Sequence, residues 1–362
     1  MKPKIIAYYL PQYHTIPEND EWWGKGFTDW TNVQKARPLF EGHDQPRRPL
    51  DDNYYDLSSI DTLRWQAGLV NSYGLYGLCF YHYWFAGKLL LEKPAEMLLA
   101  NKDISLRFCF SWANEPWART WDGHDKQVLI AQDYGSEADW RKHFDYLLPF
   151  FLDDRYIKVD GRPMMVLYRS VNIPCCKEMM ELWDRMAREN GFPGIHFVCT
   201  LGYRNDYRPE NLHLPFSNYV EFEPMRALDL HRHSFWVKLR GKVVPLLNKW
   251  LHTAILPRRV YAFNTVARMS LCYLSPEKTY GGIFCGWDNT PRKGANGLVI
   301  KPPTQKDFED YLRKKIDQTQ TVYHTDTLFV NAWNEWAEGT YLEPDVSSRT
   351  MFLETIRKVV NG

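Results

Sequence analysis

The sequence predicts a (β/α)8 barrel, and three observations carry that expectation. Eight short apolar runs of strand character recur along the chain, with amphipathic stretches of helical period between most of them. Each strand run is continuously apolar rather than alternating, as strands buried on both faces are. Aromatic and polar motifs follow several of the runs, and in a barrel all such strand ends meet on one face. A doubly wound sheet is the runner-up, but no G-x-G-x-x-G follows the first strand and no P-loop is present.

The first strand is expected over residues 4 to 10, where Pro11 stops it. A loop to Asp56 follows, rich in Trp, Gly, Pro and charge ("ENDEWWGKGFTDW", "HDQPRRPL"), and its length suits an active-site wall rather than a connector. Helical spacing then covers 58 to 73, and strands are expected at 77 to 83 and 106 to 112. The alternation continues with a helix over 137–151, a strand over 164–168, a helix over 177–190, and strands over 195–201 and 219–222. After strands at 282–287 and 328–333, with a helix over 305–319 between them, a helix over 351–360 closes the chain.

Residues 225–276 interrupt this order as an insertion. From 230 to 276 there is no Asp or Glu, while Arg232, Lys238, Arg240, Lys242, Lys249, Arg258, Arg259 and Arg268 are interleaved with Trp236, Leu239, Leu246, Leu247 and Trp250. That composition fits a basic amphipathic helix, and peripheral contact with an anionic membrane through 230–262 is one expectation; an ordinary barrel helix with a solvated face is the other.

At 362 residues, one barrel domain spanning 1–362 is expected. The net charge of +1 gives no general attraction to nucleic acid. The apolar part of "MKPKIIAYYLPQYH" is too short for a signal peptide, and no segment has transmembrane length. Seven cysteines, four of them (Cys79, Cys109, Cys199 and Cys285) inside strand runs, read as free thiols and a cytoplasmic location.

Aromatics make up 15% of the chain, with 15 Trp, and many sit beside Gly, Asn and Asp, as in a cleft that stacks rings on flat faces. The strand-end motifs supply candidate sugar contacts: Tyr9, Gln12 and His14 after the first strand, with Trp23, Trp30 and His43 from the long loop. His82, Tyr83 and Trp84 follow the second, Asn114, Glu115, Trp117, Trp121 and Asp122 the third, and Tyr168 the fourth. Glu221 ends the sixth, Trp287 and Asn289 the seventh, and Asn331, Asn334, Trp336 and Tyr341 the eighth.

Glycoside cleavage needs two carboxyl groups flanking one bond, one protonated and one ionised. Glu335 and Glu338 in "NAWNEWAEGTYLEPD" meet that need: rings around a buried strand end raise one pKa, while Asn331 or Asn334 hydrogen-bonds the other acid. Glu115 in "SWANEPW" offers an alternative dyad with Glu335, and spacing does not decide between them. Glu221 and Glu223 are weaker, with rim ion pairing as the plain reading of each. His14, His43, His82 and His124 lack metal-ligand spacing and no G-x-S-x-G elbow is present, so neither a metal nor another cofactor is expected.

The motifs "YYLPQYH", "ENDEWWGKGFTDWTNV", "QPRRP", "YDL", "YHYWF", "WANEPWARTWDG", "GWDNT" and "NAWNEWAEGTYLEPD" resemble, in this order and over nearly the whole chain, the WbsX-like proteins. These are related to glycoside hydrolase family 99, the endo-α-mannosidases. The resemblance implies a barrel acting without metal on an α-linked sugar of a surface polysaccharide. It favours Glu335 with Glu338, the first as base on the sugar 2-hydroxyl, which then attacks the anomeric carbon, and the second as acid/base. It also departs from the pattern: "DDNYYDL" lacks the usual Leu-Gly, Pro116 stands in "WANEPW", and the basic insertion has no counterpart in the mannosidases. WbsX-like members have been labelled glycosyltransferases, so transfer from an activated donor is the alternative, and a non-catalytic carbohydrate-binding protein a third.

Overall fold

The computed structural model of the protein describes residues 2–118, 128–232 and 259–362. Eight parallel strands form a closed barrel: β1 (Lys4–Tyr9), β2 (Gly77–Phe85), β3 (Phe108–Trp112), β4 (Arg162–Leu167), β5 (His196–Leu201), β6 (Asn218–Glu221), β7 (Thr279–Phe284) and β8 (Thr327–Asn331). Each strand pairs with its sequence neighbour, and β1 closes the ring by pairing with both β8, at Lys4↔Thr327, and β2, at Ile6↔Gly77. The expected barrel, with all eight strands at the expected places, is what the chain forms. The seventh strand stops at Phe284, short of Trp287, which lies in a separate two-residue strand.

The helix layer is α1 (Ile60–Ser72), α2 (Lys93–Ala100), α3 (Glu137–Phe151), α4 (Cys176–Glu189), α5 (Met225–Arg232), α6 (Phe263–Cys272), α7 (Gln305–Thr321) and α8 (Met351–Asn361). Capping boxes start two of these, Ser136 with Asp139 before α3 and Thr304 with Asp307 before α7, and satisfy first-turn N–H groups that have no helical partner. α4 buries Met179, Met180, Trp183, Met186 and Ala187 against the barrel. Burying such a side chain contributes roughly 1.5–3 kcal/mol.

Strand alternation decides which side chains reach the barrel interior. Tyr8 stacks on Tyr81 inside, at 5.6 Å and 12°, with the edge of Phe222 beside it. Their neighbours point to the helices: Tyr9 donates to Gln66 of α1 at 2.9 Å, and His82 meets His143 of α3 at 2.8 Å.

Of the expected insertion, 233–258 lies outside the described residues, and with it most of the segment expected to contact membrane. Its flanks are α5, which buries Arg226, and α6, whose Phe263 packs on Phe284 of β7 and Tyr311 of α7. No helix among the described residues is long and apolar enough to cross a membrane. All seven cysteines are unpaired, five of them buried.

Candidate active site

Past β8 the chain makes a tight hairpin. Asn334–Glu335 pairs antiparallel with Thr340–Tyr341 across a 3-10 turn, Trp336–Glu338. Gly339 ends the turn at φ +60°, and a Cβ there would stand 2.7 Å from that of Asp288, so both the backbone angle and the space require glycine. The end of β1 clamps the hairpin. Asn334 accepts from the Leu10 N–H at 2.7 Å and donates to the Leu10 carbonyl at 3.0 Å, while the Tyr13 hydroxyl donates to the Asn334 carbonyl at 2.6 Å.

This clamp brings Glu335 and Glu338 to one cation. Arg292 donates from Nη1 to Glu338 at 2.7 Å, and its Nη2 lies 3.3 Å from Glu335 and 2.8 Å from Asp29. The Asp29 side chain has no exposure, those of Glu335 and Arg292 have 8% each, and that of Glu338 has 24%. Burial, then the charge of Glu338, pushes the Glu335 carboxyl up to about 8 against the pull of Arg292. Glu338 is also raised by burial, with Arg292 opposing. A buried pair of acids with one shared cation favours holding a proton between them at neutral pH.

Tyr81 and Tyr83 of β2 stand in the field of Glu335, and Tyr168 and Tyr203, after β4 and β5, in that of Glu338. The same two tyrosines also feel Glu115, and Arg169 lies 3.5 Å from Glu115, 3.3 Å from Asp206 and 4.5 Å over the Tyr203 ring. The geometry therefore groups Glu335 with Glu338 on Arg292 and gives Glu115 a different cation, Arg169, which it shares with Asp206. Trp117 edges this region, its ring 5.2 Å from Tyr83.

Several expected sugar contacts are turned elsewhere. Glu221 is fully buried between barrel and helices, paired with Arg226 and Lys315 at 2.8 Å each; a neighbouring Glu223–Arg226 pair at 2.7 Å completes the network. Tyr9, His82 and Trp84 face the helix layer by strand parity, with Trp84 lying flat on His143 at 4.4 Å. The buried Trp30 donates to the Tyr55 carbonyl, and Trp336 is buried beneath the hairpin, stacked on Tyr341, so both rings support the acids rather than offer a platform. The Tyr341 hydroxyl donates to Asp345.

His43 has both ring nitrogens engaged, Nε2 with Asp288 at 2.7 Å and Nδ1 accepting from the Leu39 N–H, so it buttresses the β7 turn. Asn114 spends both amide arms on the Arg169 backbone, and Asn289 accepts from the Leu298 N–H. Asn331 donates to the Glu223 carbonyl, which leaves its Oδ1 buried without a partner. Gln12 Nε2, His14 Nδ1 and Trp287 Nε1 are likewise buried and unpaired. Trp23 is half-buried beside Phe27. Trp121 and Asp122 lie outside the described residues.

Sequence reasoning did not single out Asp29, Tyr81 or Tyr203. Tyr81 had a signal, being two residues from Tyr83 on the same strand face. Asp29 and Arg292 are 263 positions apart and meet only through the fold.

A family model described as glycosyltransferase WbsX matches residues 5–356. Two proteins called WxcX, from the ATCC 33913 and B100 strains of Xanthomonas campestris pv. campestris, are 37% identical over 358 residues and 36% over 359. Each match covers 98% of this chain, which spans about half (49%) of those relatives' length. Among solved structures, the GH99 endo-α-mannosidase from Bacteroides thetaiotaomicron superposes with a TM-score of 0.59 at 13% identity, covering 99% of this chain and 96% of that one. A glycoside hydrolase-like protein gives 0.58 at 10%, covering 99% and 94%. At those identities the likeness is one of fold.

Proposed function

The chain belongs to the WbsX glycosyltransferase family, a carbohydrate-active family, and from that premise we propose a retaining enzyme that cleaves or transfers an α-linked sugar of a surface polysaccharide or its lipid-linked precursor. The observation that carries the reading is the pair of glutamates gathered on one guanidinium at the end of β8, with burial favouring a shared proton. Unpaired buried cysteines support a reducing, cytoplasmic setting.

Following the family 99 scheme, Glu335 takes the proton of the sugar 2-hydroxyl as that oxygen attacks the anomeric carbon. The bond to the leaving oxygen breaks as Glu338 protonates it. In the second half Glu338 accepts a proton from water, or from an acceptor sugar hydroxyl, whose oxygen opens the epoxide-like intermediate, and Glu335 returns its proton to the 2-oxygen. Burial favours the proton on Glu335, the more buried acid and the one farther from Arg292. A 2-hydroxyl donating to Glu335 stabilises its ionised form and moves the proton to Glu338, so substrate itself sets the working arrangement.

Transfer from a nucleotide sugar would need a cation or metal for the diphosphate. Arg169 and Arg292 are each already held by carboxylates, which supports a sugar or water acceptor without a nucleotide donor. The test is product analysis of wild type, Glu335→Gln and Glu338→Gln with bacterial polysaccharide fragments, with and without nucleotide sugars. Donor-independent products lost in both variants are expected. Products formed only with a donor, or activity surviving both substitutions, would overturn the reading.

A further inference from the structure

Asp29 sits in the long loop after β1, and its role is not explained by contact with substrate. Its side chain is fully buried, its backbone N–H donates to the Gln12 carbonyl at 3.1 Å, and Oδ1 accepts from Asn32 at 3.1 Å. Oδ2 accepts from Arg292 at 2.8 Å, through the same Nη2 that lies 3.3 Å from Glu335. Asp29 is thus the shorter partner of the nitrogen that Glu335 must share.

The charge balance follows. Asp29 and Arg292 cancel, and Glu335 and Glu338 are left to settle their charge with what else faces them. From the β1 loop that is Tyr13, from β2 Tyr81 and Tyr83, from the ends of β4 and β5 Tyr168 and Tyr203, and from the β7 loop Lys293, which acts on Glu338. The tyrosines are neutral phenols whose ionisation burial opposes, so they supply no charge.

We propose that Asp29 is a positioning residue that fixes the charge state of the acid pair: by holding one edge of Arg292 it prevents that cation from neutralising both glutamates, and the resting pair keeps one proton. Without Asp29 the guanidinium would turn fully to Glu335 and Glu338, the pair would ionise twice, and no acid would remain for a leaving group. The inference rests on these two glutamates being the working pair, but its test reads protonation without any sugar. Failure to find glycan cleavage therefore leaves it standing, and an unchanged midpoint in Asp29→Asn leaves the glycosidase reading intact.

The experiment is infrared difference spectroscopy of the full chain through a pH titration, following the C=O band of protonated carboxyl groups. Subtracting Glu335→Gln assigns the band. The wild type is expected to lose it near pH 8, the value to which burial pushes Glu335. In Asp29→Asn the midpoint is expected to fall by about one pH unit or more, roughly tenfold in proton affinity. Asp29→Glu keeps the charge and is expected to restore most of the wild-type midpoint, which separates charge from packing. An unchanged midpoint in folded Asp29→Asn would overturn the proposal. So would an Asp29→Glu midpoint as low as that of Asp29→Asn, or a wild-type titration in which Glu335→Gln removes no band. Should Asp29→Asn not fold, Arg292→Lys reads the same balance: a weaker, single-point cation raises the midpoint, and a lowered one contradicts the idea.

Discussion

Trp336, the residue next to Glu335 and two before Glu338, donates its indole N–H to Glu343 at 2.7 Å. Glu343 is fully buried and also accepts from Gln66 at 2.7 Å and Tyr55 at 2.8 Å, so α1, the β1 loop and the hairpin that carries Glu335 and Glu338 are tied to one carboxylate. Among the described residues no Lys or Arg pairs with it.

Burial pushes the Glu343 carboxyl up to about 7, with its neutral donors pulling the other way. A carboxyl raised in the folded state holds a proton that the unfolded chain has already lost, so its contribution to stability is full below the unfolded value and declines as pH rises to about 7. The span from the ordinary value of 4.5 corresponds to about 3 kcal/mol at most. Unfolding midpoints of wild type and Glu343→Gln across this range are expected to differ in slope, the variant lacking the decline. It should also be less stable at low pH, because one amide replaces two accepting oxygens. Parallel slopes would contradict this account.

A second pH effect belongs to catalysis. In the proposed mechanism, as pH rises through about 8, to which burial pushes Glu335, the pair gives up the proton meant for the leaving oxygen, so kcat/KM should fall on the alkaline side. Glu338→Asp keeps a carboxyl and should keep the limb, whereas Glu338→Gln removes the neighbouring charge that helps hold Glu335 up. The Glu335 carboxyl in that variant should then titrate at lower pH. A profile flat through pH 8 in the wild type would mean that the proton resides elsewhere.

The barrel and the last-strand acids were legible because each rests on a local signal: continuous apolar runs give strands, and acids placed between rings after such a run have few structural uses. Side-chain direction was not. In β2, "GLCFYHYWF" is buried at every position, so no polar alternation shows that Tyr81 faces inward while His82 and Trp84 face α3. Glu221 carries the same lesson, since a glutamate at a barrel strand end suits a sugar contact and an ion pair alike until its partners on α5 and α7 are known. The Asp29–Arg292 pair depends on two long loops meeting, which no spacing encodes.

That placement makes Glu221 a residue of stability. Arg226 and Lys315 hold its carboxyl down at about 2 despite burial, so its contribution is present above the ordinary value and is lost as pH falls toward 2. Lys315→Met leaves the glutamate with less compensation and should cost about 3–5 kcal/mol. Replacing Glu221, Glu223, Arg226 and Lys315 together by apolar residues, so that no charge of the network is left alone, should cost less than that single change. Activity per folded molecule should stay near wild type in Lys315→Met, measured by calorimetry beside turnover; a selective loss of turnover would return Glu221 to the site.

Asn334 separates support from chemistry most directly. It stands beside Glu335, yet its amide is committed to both backbone groups of Leu10 and to the Tyr55 hydroxyl at 3.2 Å. Asn334→Ala would leave the Leu10 N–H and carbonyl buried without partners, at about 1–3 kcal/mol each. Asn334→Asp keeps the acceptor for the N–H but turns an oxygen on the carbonyl and adds a negative charge beside Glu335. The alanine variant should therefore lose stability first, with kcat falling as the hairpin shifts and KM changing little. The aspartate variant should in addition move the alkaline limb to higher pH, because a new anion makes Glu335 hold its proton longer. An Asn334→Ala protein of full stability whose KM alone rises would instead place that amide on the substrate.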